Sequence, residues 1–299
     1  MASVTSWRGK LRAVFLRSEA IRGYTLLSPT LVVMMFGMCA PFAIMVAVSF
    51  WTQHAFDFDT TFTLGRYQDV IDKPIYMALM LRSLAISGAC TVVTVLLAYP
   101  MAYYVAFHVH RHKLIWIILM TLPFWTSYLL RVFAWKVILG FNGVINSGLK
   151  GLGLIEQPLE FLLYSPTAVV ITLAHAWAAF AILPIYVSLE KIDRSLLEAA
   201  TDLGDGPVKR FLGVTLPLSL PGIIAATLLI FIPTVGDYVT PALVGGPSGI
   251  MLANNIQAQF GKVNDWPMGA ALAMAMMITV AVISVVYIWV TRKAAGRIV

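Results

Sequence analysis

The chain alternates between long apolar runs and short polar connections. Six of these runs hold about 20 or more mostly apolar residues, which is enough to cross the hydrocarbon core of a bilayer. They lie at about 26–51, 83–107, 114–138, 167–189, 217–236 and 268–291. The pattern predicts an all-α polytopic membrane protein with six transmembrane helices. The first run is longer than a signal-peptide core and lacks an evident small-residue cleavage site, so we expect it to remain as the first span.

Composition agrees with this prediction. The chain has 299 residues, of which 60% are hydrophobic and 12% charged, whereas about a quarter of the residues in soluble domains are charged. No Gly/Ser/Pro-rich linker divides the apolar runs, so we expect one membrane domain at 24–299. Cys39 and Cys90 both fall inside predicted spans, which favours neither a disulfide framework nor a metal site.

The distribution of basic residues predicts the orientation. Most of the 21 Lys and Arg residues lie in the two terminal segments and in the connections after the second and fourth runs. The positive-inside rule then places both termini and the connection at about 190–216 in the cytoplasm. The basic segment 1–23 fits a short amphipathic helix on the inner membrane surface, and it fits a disordered basic tail equally well.

The connection at about 190–216 carries a spaced motif. Glu-Ala-Ala is followed after three residues by glycine, and nine residues later Val-Thr-Leu-Pro begins. Capping and ending a helix would account for the first part of this motif but not for its distance to Leu-Pro. The residues singled out by the motif are Glu198, Ala199, Ala200, Gly204, Leu216 and Pro217.

The same stretch predicts a bent pair of short helices. Ser195 and Glu198 have the spacing of a capping box, which predicts a first helix beginning at Leu196. Gly204 can take the positive φ that ends a helix, and Pro207 can open the second helix behind a cap at Gly206 or Asp205. Such a pair would project from the membrane and could seat in a groove on another protein.

This motif resembles the cytoplasmic signature of the membrane subunits of bacterial ABC importers, with Val214 in place of the usual Ile. The resemblance implies a type I importer permease fold of the MetI-like kind in the bacterial inner membrane. It also implies that the motif residues dock on an ATP-binding subunit and transmit nucleotide-driven motion to the spans. ATP and Mg would then be bound by that partner, with no cofactor, metal or catalytic residue in this chain.

Candidate solute contacts lie in the third span and after the fifth. Pro123 frees a backbone carbonyl within the membrane, which is tolerated where a helix lines a cavity. Trp125 and Tyr128 follow it and could stack on a cationic solute, although aromatic packing explains them too. Asp237 and Tyr238 lie in a Pro- and Gly-rich segment of broken helix, where Asp237 could meet a cationic group or only cap a loop.

Two other polar features receive plainer interpretations. Arg131 lies in the outer third of the third span, where we expect its side chain to snorkel to the interface. His108, His110 and His112 alternate with basic residues and have no nearby acidic or Cys partner, so we expect a solvated basic turn rather than a metal site.

Longer segments are similar to the spermidine/putrescine-type permeases. They include Ser188-Leu-Glu-Lys-Ile-Asp193, Gly236-Asp-Tyr-Val-Thr-Pro241 and Asp265-Trp-Pro-Met-Gly269. The resemblance implies import of polyamines, or of opines or amino-acid-like solutes, which related permeases also serve. It further implies four kinds of partner: a second permease subunit, two ATP-binding subunits, an extracytoplasmic solute-binding protein and the lipid bilayer. Nucleic acid is not expected.

Other function classes find less support in the sequence. An ion-coupled secondary carrier usually needs carboxylates within its spans, and no predicted span contains Asp or Glu. The chain has no P-loop, so if ATP drives it, another chain must bind the nucleotide. A membrane-embedded enzyme would need a nucleophile and base, or a cluster of metal ligands, and no predicted span presents either.

Overall fold

A computed structural model describes residues 19–54 and 57–295. Within them, five helices are long and apolar enough to cross a membrane, and a sixth span exists if one bent pair of helices is counted as one. This agrees with the six apolar runs. Most of the basic N-terminal segment 1–23 lies outside the described residues.

The regular secondary structure in the described part of the chain is helical apart from one small hairpin. The strands are β1 (Thr52–His54) and β2 (Asp57–Asp59), paired antiparallel with Gln53 opposite Phe58. The helices are α1 (Glu19–Val48), α2 (Gly65–Asp72), α3 (Pro74–Phe107), α4 (Lys113–Thr121), α5 (Tyr128–Ile138), α6 (Val144–Gly151), α7 (Pro166–Glu190), α8 (Arg194–Asp202), α9 (Pro207–Arg210), α10 (Leu216–Val235), α11 (Gly246–Gly249), α12 (Leu252–Ala258) and α13 (Trp266–Ala295).

The core lies where α3, α7 and α10 pack against one another. Alanines such as Ala102, Ala181 and Ala226 are fully buried between these helices, and small residues let membrane helices approach closely. The tightest approach is at Gly222 on α10, where an added Cβ would lie 2.5 Å from the Cβ of Ser188 on α7. Glycine at this position therefore fixes the distance between the fourth and fifth spans.

The third span is broken, whereas the apolar run predicted one continuous helix at 114–138. Helices α4 and α5 meet at an angle of 84° around a 3-10 turn, Leu122–Trp125. Pro123 cannot donate a backbone hydrogen bond, and Thr126 adopts an extended conformation with φ −77° and ψ 157°. The Thr126 hydroxyl donates to the Pro123 carbonyl at 2.8 Å. The break places Tyr128 at the start of α5.

The second span is longer than the apolar run at 83–107 predicted, because α3 begins at Pro74. The extra turns include Arg82, whose Nη1 donates to the carbonyl oxygens of Pro247 at 3.2 Å and Ile250 at 3.5 Å. Beside it, the Ser83 hydroxyl accepts from the Leu252 amide at 2.8 Å. These bonds fasten the segment after α10 to α3, at the end of the bundle opposite α8.

Candidate functional site

Helix α8 is capped by a different residue from the one that the sequence predicted. It begins at Arg194, and the Asp193 carboxylate accepts from the Ser195 amide at 3.0 Å. The predicted Ser195–Glu198 capping box is therefore wrong, and Glu198 lies one turn inside the helix. A carboxylate is a strong acceptor at a helix N-terminus, where the helix dipole favours negative charge. The Ser195 amide also holds the pKa of Asp193 below its ordinary value.

The end of α8 follows the prediction. Gly204 has φ +89°, and its amide donates to the Thr201 carbonyl at 2.9 Å, while the Asp205 amide donates to the Ala200 carbonyl at 3.0 Å. This pair of bonds is the Schellman motif, which requires the left-handed conformation that glycine adopts without strain. Gly206 then caps α9 and Pro207 opens it, also as predicted.

The second short helix is continuous with the fifth span, which the sequence did not predict. A π turn, Phe211–Thr215, joins α9 to α10, and one helical segment runs from Pro207 to Val235. Pro217 has no amide proton for the carbonyl of Gly213, and a π turn is a common way for a helix to accommodate such a loss. Leu216 and Pro217 thus form the first turn of α10 and are half-buried.

The motif residues on α8 divide between its two faces. Ala200 is buried against the bundle, whereas Glu198 and Ala199 are exposed. Leu196 and Leu203 are 47% and 86% exposed and lie on the same helical face as Ala199. Helix α8 and its C-cap therefore present an apolar stripe, Leu196, Ala199 and Leu203, that the rest of the described chain leaves largely exposed.

A cleft of about 490 Å³ runs between α8 and the end of α3. The Arg210 side chain donates to the Thr201 hydroxyl across its floor at 2.8 Å. Its lining is aromatic on the α3 side and charged on the other. The lining residues are Tyr103, Phe107, His108, Arg194, Leu197, Glu198, Thr201, Asp202 and Arg210.

The structure brings two of the four candidate solute contacts together. The Tyr128 hydroxyl, at the start of α5, donates to the Asp237 carboxylate just beyond α10. The same carboxylate accepts from the amides of Val239 at 2.8 Å and Thr240 at 3.4 Å. Asp237 is thus a carboxylate held in place by several donors at the junction of the third and fifth spans.

A cavity of about 270 Å³ opens beside this pair. Trp177 and Phe180 of α7 supply its aromatic wall, with ring centroids 5.2 Å apart. The Trp177 indole nitrogen is buried with no hydrogen-bond partner among the described residues. We call this space the Asp237 cavity; its lining residues are Tyr128, Arg131, Ala176, Trp177, Phe180, Pro233 and Asp237.

The other two candidates do not line the Asp237 cavity. Trp125 lies in the 3-10 turn and is 81% exposed, and Tyr238 is 47% exposed. Sequence reasoning missed Trp177 and Phe180 instead. Helix α7 is apolar on every side, so periodicity gave no sign of which face meets a cavity.

Arg131 does not snorkel as the sequence predicted. Its guanidinium donates to the Ala176 carbonyl on α7 at 3.0 Å and lies 5.4 Å from the Phe124 ring centroid and 5.9 Å from that of Tyr128. A backbone carbonyl and aromatic faces can hold an arginine inside a bundle. Arg131 and Asp237 therefore line the same cavity without forming a salt bridge within 4.0 Å.

Comparisons with known proteins place these features in a family. Residues 29–298 match the model for "Binding-protein-dependent transport system inner membrane component". The chain is 35% identical over 248 residues to the spermidine/putrescine transport system permease protein PotB of Escherichia coli K12, covering 83% of this chain and 90% of that protein. It is 34% identical over 255 residues to PotB of Haemophilus influenzae, covering 85% and 88%.

Solved structures show the same fold at low sequence identity. A bacterial ABC transporter involved in the import of the acidic polysaccharide alginate aligns with a TM-score of 0.71 and 16% identity, covering 95% of this chain and 99% of that chain. A bacterial alginate ABC transporter in complex with alginate pentasaccharide-bound periplasmic protein gives 0.73 and 15% identity, covering 97% and 98%. The predicted all-α polytopic importer-permease fold is confirmed.

Proposed function

Because this chain belongs to the family of binding-protein-dependent transport system inner membrane components, we propose that it is a permease subunit of an ATP-driven ABC importer for polyamines of the spermidine and putrescine class. The PotB proteins of two organisms support this solute class, since the chain covers most of their length at 34–35% identity. Its partners would be a second permease subunit, two ATP-binding subunits and an extracytoplasmic solute-binding protein.

The observation that carries the solute assignment is the bond between Tyr128 and Asp237. It aims one fixed carboxylate at a cavity walled by the rings of Trp177 and Phe180. Ammonium groups bind to carboxylates and to aromatic faces. At about 270 Å³, the cavity suits a slender alkylammonium chain rather than a bulky solute.

The ATPase-coupling assignment depends on α8. Its exposed stripe, Leu196, Ala199 and Leu203, has the size and chemistry to seat in a groove on an ATP-binding subunit. The Schellman motif at Gly204 gives the short helix a fixed direction. Since α8 is joined to α7 and, through α9, to α10, closure of the ATP-binding subunits would move the fourth and fifth spans and alternate access to the cavity. Docking on an ATP-binding subunit requires α8 to face the cytoplasm, and with six spans both termini would then lie in the cytoplasm too.

Arg131 favours a second candidate solute class. Its guanidinium lines the same cavity as Asp237, so a solute with both an ammonium and a carboxylate could meet one charge with each end. Opines and amino-acid-like solutes have this character. They are the alternative to a polyamine within the same importer mechanism.

Uptake into proteoliposomes tests both the mechanism and the solute. The complete importer would be reconstituted with ATP inside, and its binding protein would be loaded with labelled spermidine, putrescine or an opine. We expect polyamine uptake that requires ATP and survives a protonophore. Uptake that persists without ATP and collapses with the protonophore would identify an ion-coupled carrier, and ATP-driven uptake of opines but not polyamines would identify the second solute class.

A further inference from the structure

Lys113 lies where the ends of three helices meet, close to α8. Its Nζ is 2.8 Å from both carboxylate oxygens of Glu190 and 2.9 Å from the carbonyl oxygen of Ala106. Ala106 is in the last turn of α3, Lys113 is the first residue of α4, and Glu190 is the last residue of α7. One ammonium group therefore holds the ends of the second, third and fourth spans together.

Glu190 is separated from α8 by only three residues, 191–193. Ile192 in the middle of this connection is buried, and Asp193 at its end caps α8. The connection is too short and too well anchored to absorb a displacement of α8. A displacement of α8 would therefore reach the Glu190 carboxylate.

The third span connects Lys113, at its start, to the Asp237 cavity. Helix α4 runs from Lys113 into the 3-10 turn Leu122–Trp125, and α5 begins at Tyr128, which is bonded to Asp237. The fourth and fifth spans are joined to α8 directly through the chain, whereas the third span is not. The ion pair supplies that connection.

We propose that Lys113 and Glu190 are positioning residues that transmit the motion of α8 to the third span, and through it to the cavity at Tyr128. This rests on the proposed function, since it assumes that α8 is driven by an ATPase. The side chains are 23% and 40% exposed, so water partly screens the pair and it can separate and re-form between two states. A fully buried pair would cost far more to separate.

A charge exchange in the reconstituted importer tests the proposal. The variants are Lys113→Glu, Glu190→Lys and the double variant with both changes, and the readout is the number of polyamine molecules imported per ATP hydrolysed. We expect each single variant to lower this ratio about tenfold while ATP hydrolysis continues. The double variant should recover to at least about a third of wild type, incompletely because a carboxylate at position 113 cannot donate to the Ala106 carbonyl. Lys73→Glu is a matched control, because it breaks the Lys73–Asp69 ion pair just before α3, at the end of the bundle opposite α8.

Three outcomes would overturn the proposal. They are a wild-type ratio in both single variants, a double variant no better than either single one, and an equal loss in Lys73→Glu. If a single variant fails to insert, Lys113→Met with Glu190→Met removes both charges without repulsion, and a wild-type ratio there also overturns the proposal. If the wild-type importer shows no ATP-driven uptake, it is the proposed function that fails.

Discussion

The Tyr128 hydroxyl donates a hydrogen bond to the Asp237 carboxylate, which joins the start of α5 to the segment beyond α10. The two residues are far apart in the chain, and Tyr128 begins α5 directly after the break in the third span at Pro123. A continuous third span would carry Tyr128 in the middle of a straight helix. The break therefore places the start of a helix, with Tyr128 as its first residue, at the candidate solute site.

Asp237→Asn tests the role of the carboxylate. The amide keeps the shape of the side chain but removes its charge, so an ammonium group loses its counter-ion. In the proposed mechanism the solute reaches the cavity from the binding protein, so we expect a lower maximal uptake rate at saturating loaded binding protein, by about tenfold or more. Asp57→Asn is the matched control, since Asp57 is an exposed aspartate on β2. Equal rates in both variants would remove Asp237 from the pathway.

Trp177 and Trp125 are predicted to differ in their effects on transport. Trp177 lines the Asp237 cavity, whereas Trp125 does not and is 81% exposed. We expect Trp177→Ala to reduce maximal polyamine uptake severalfold, because one aromatic face for the cation is lost, with a cost of about 0.5–2 kcal/mol. Trp125→Ala should stay close to wild type. The reverse order would show that the pathway runs past the 3-10 turn instead.

The cap of α8 gives a prediction for pH. The pKa of Asp193 is lowered in the folded protein. The stabilisation of α8 by this carboxylate is therefore present above the unfolded pKa of about 3.9, and it is lost as the pH falls through the lower folded pKa. At neutral pH the cap is fully ionised. Hydrogen exchange of the α8 amides, corrected for intrinsic rates, should therefore quicken in Asp193→Ala but not in Ser195→Ala. Faster exchange only in Ser195→Ala would restore the capping box.

Gly222 is predicted to be intolerant of even one methyl group. An added Cβ would lie 2.5 Å from the Ser188 Cβ and 2.6 Å from the Pro184 carbonyl oxygen. We expect Gly222→Ala to destabilise the subunit by about 1–3 kcal/mol, the usual cost of overpacking, seen as a lower unfolding temperature in detergent. Gly88→Ala is the matched control on α3, where an added Cβ meets nothing within 4 Å. Similar temperatures for the two variants would contradict close packing at Gly222.

The spans were predictable because a bilayer requires about 20 apolar residues in each one. Their irregularities were not predictable in the same way. Hydropathy cannot distinguish a straight helix from α4 and α5 with an elbow at Pro123. It also began the second span at Ser83, whereas α3 begins at Pro74. Arg82 is accommodated within α3 because it bonds to the carbonyl oxygens of Pro247 and Ile250.

Local motifs were more informative than span periodicity at the candidate sites. Gly204 ends α8 as predicted, because the left-handed turn depends on that residue alone. The start of α8 was predicted wrongly, because the spacing between Ser195 and Glu198 suggested Ser195 as the N-cap, whereas Asp193 is the N-cap in the structure. Trp177 lay in a uniformly apolar helix, so only the packing of α7 could show that it reaches the cavity.

The central claim is that α8 lies in the cytoplasm and joins this subunit to an ATPase. Its most direct test is Ala199→Cys, made in a chain whose two native cysteines, Cys39 and Cys90, have been replaced. We predict a cross-link from this cysteine to the ATP-binding subunit and, when that subunit is absent, labelling by a membrane-impermeant maleimide only in inside-out vesicles. Labelling from the outer side of sealed cells, or no cross-link in an assembled complex that hydrolyses ATP, would contradict the account.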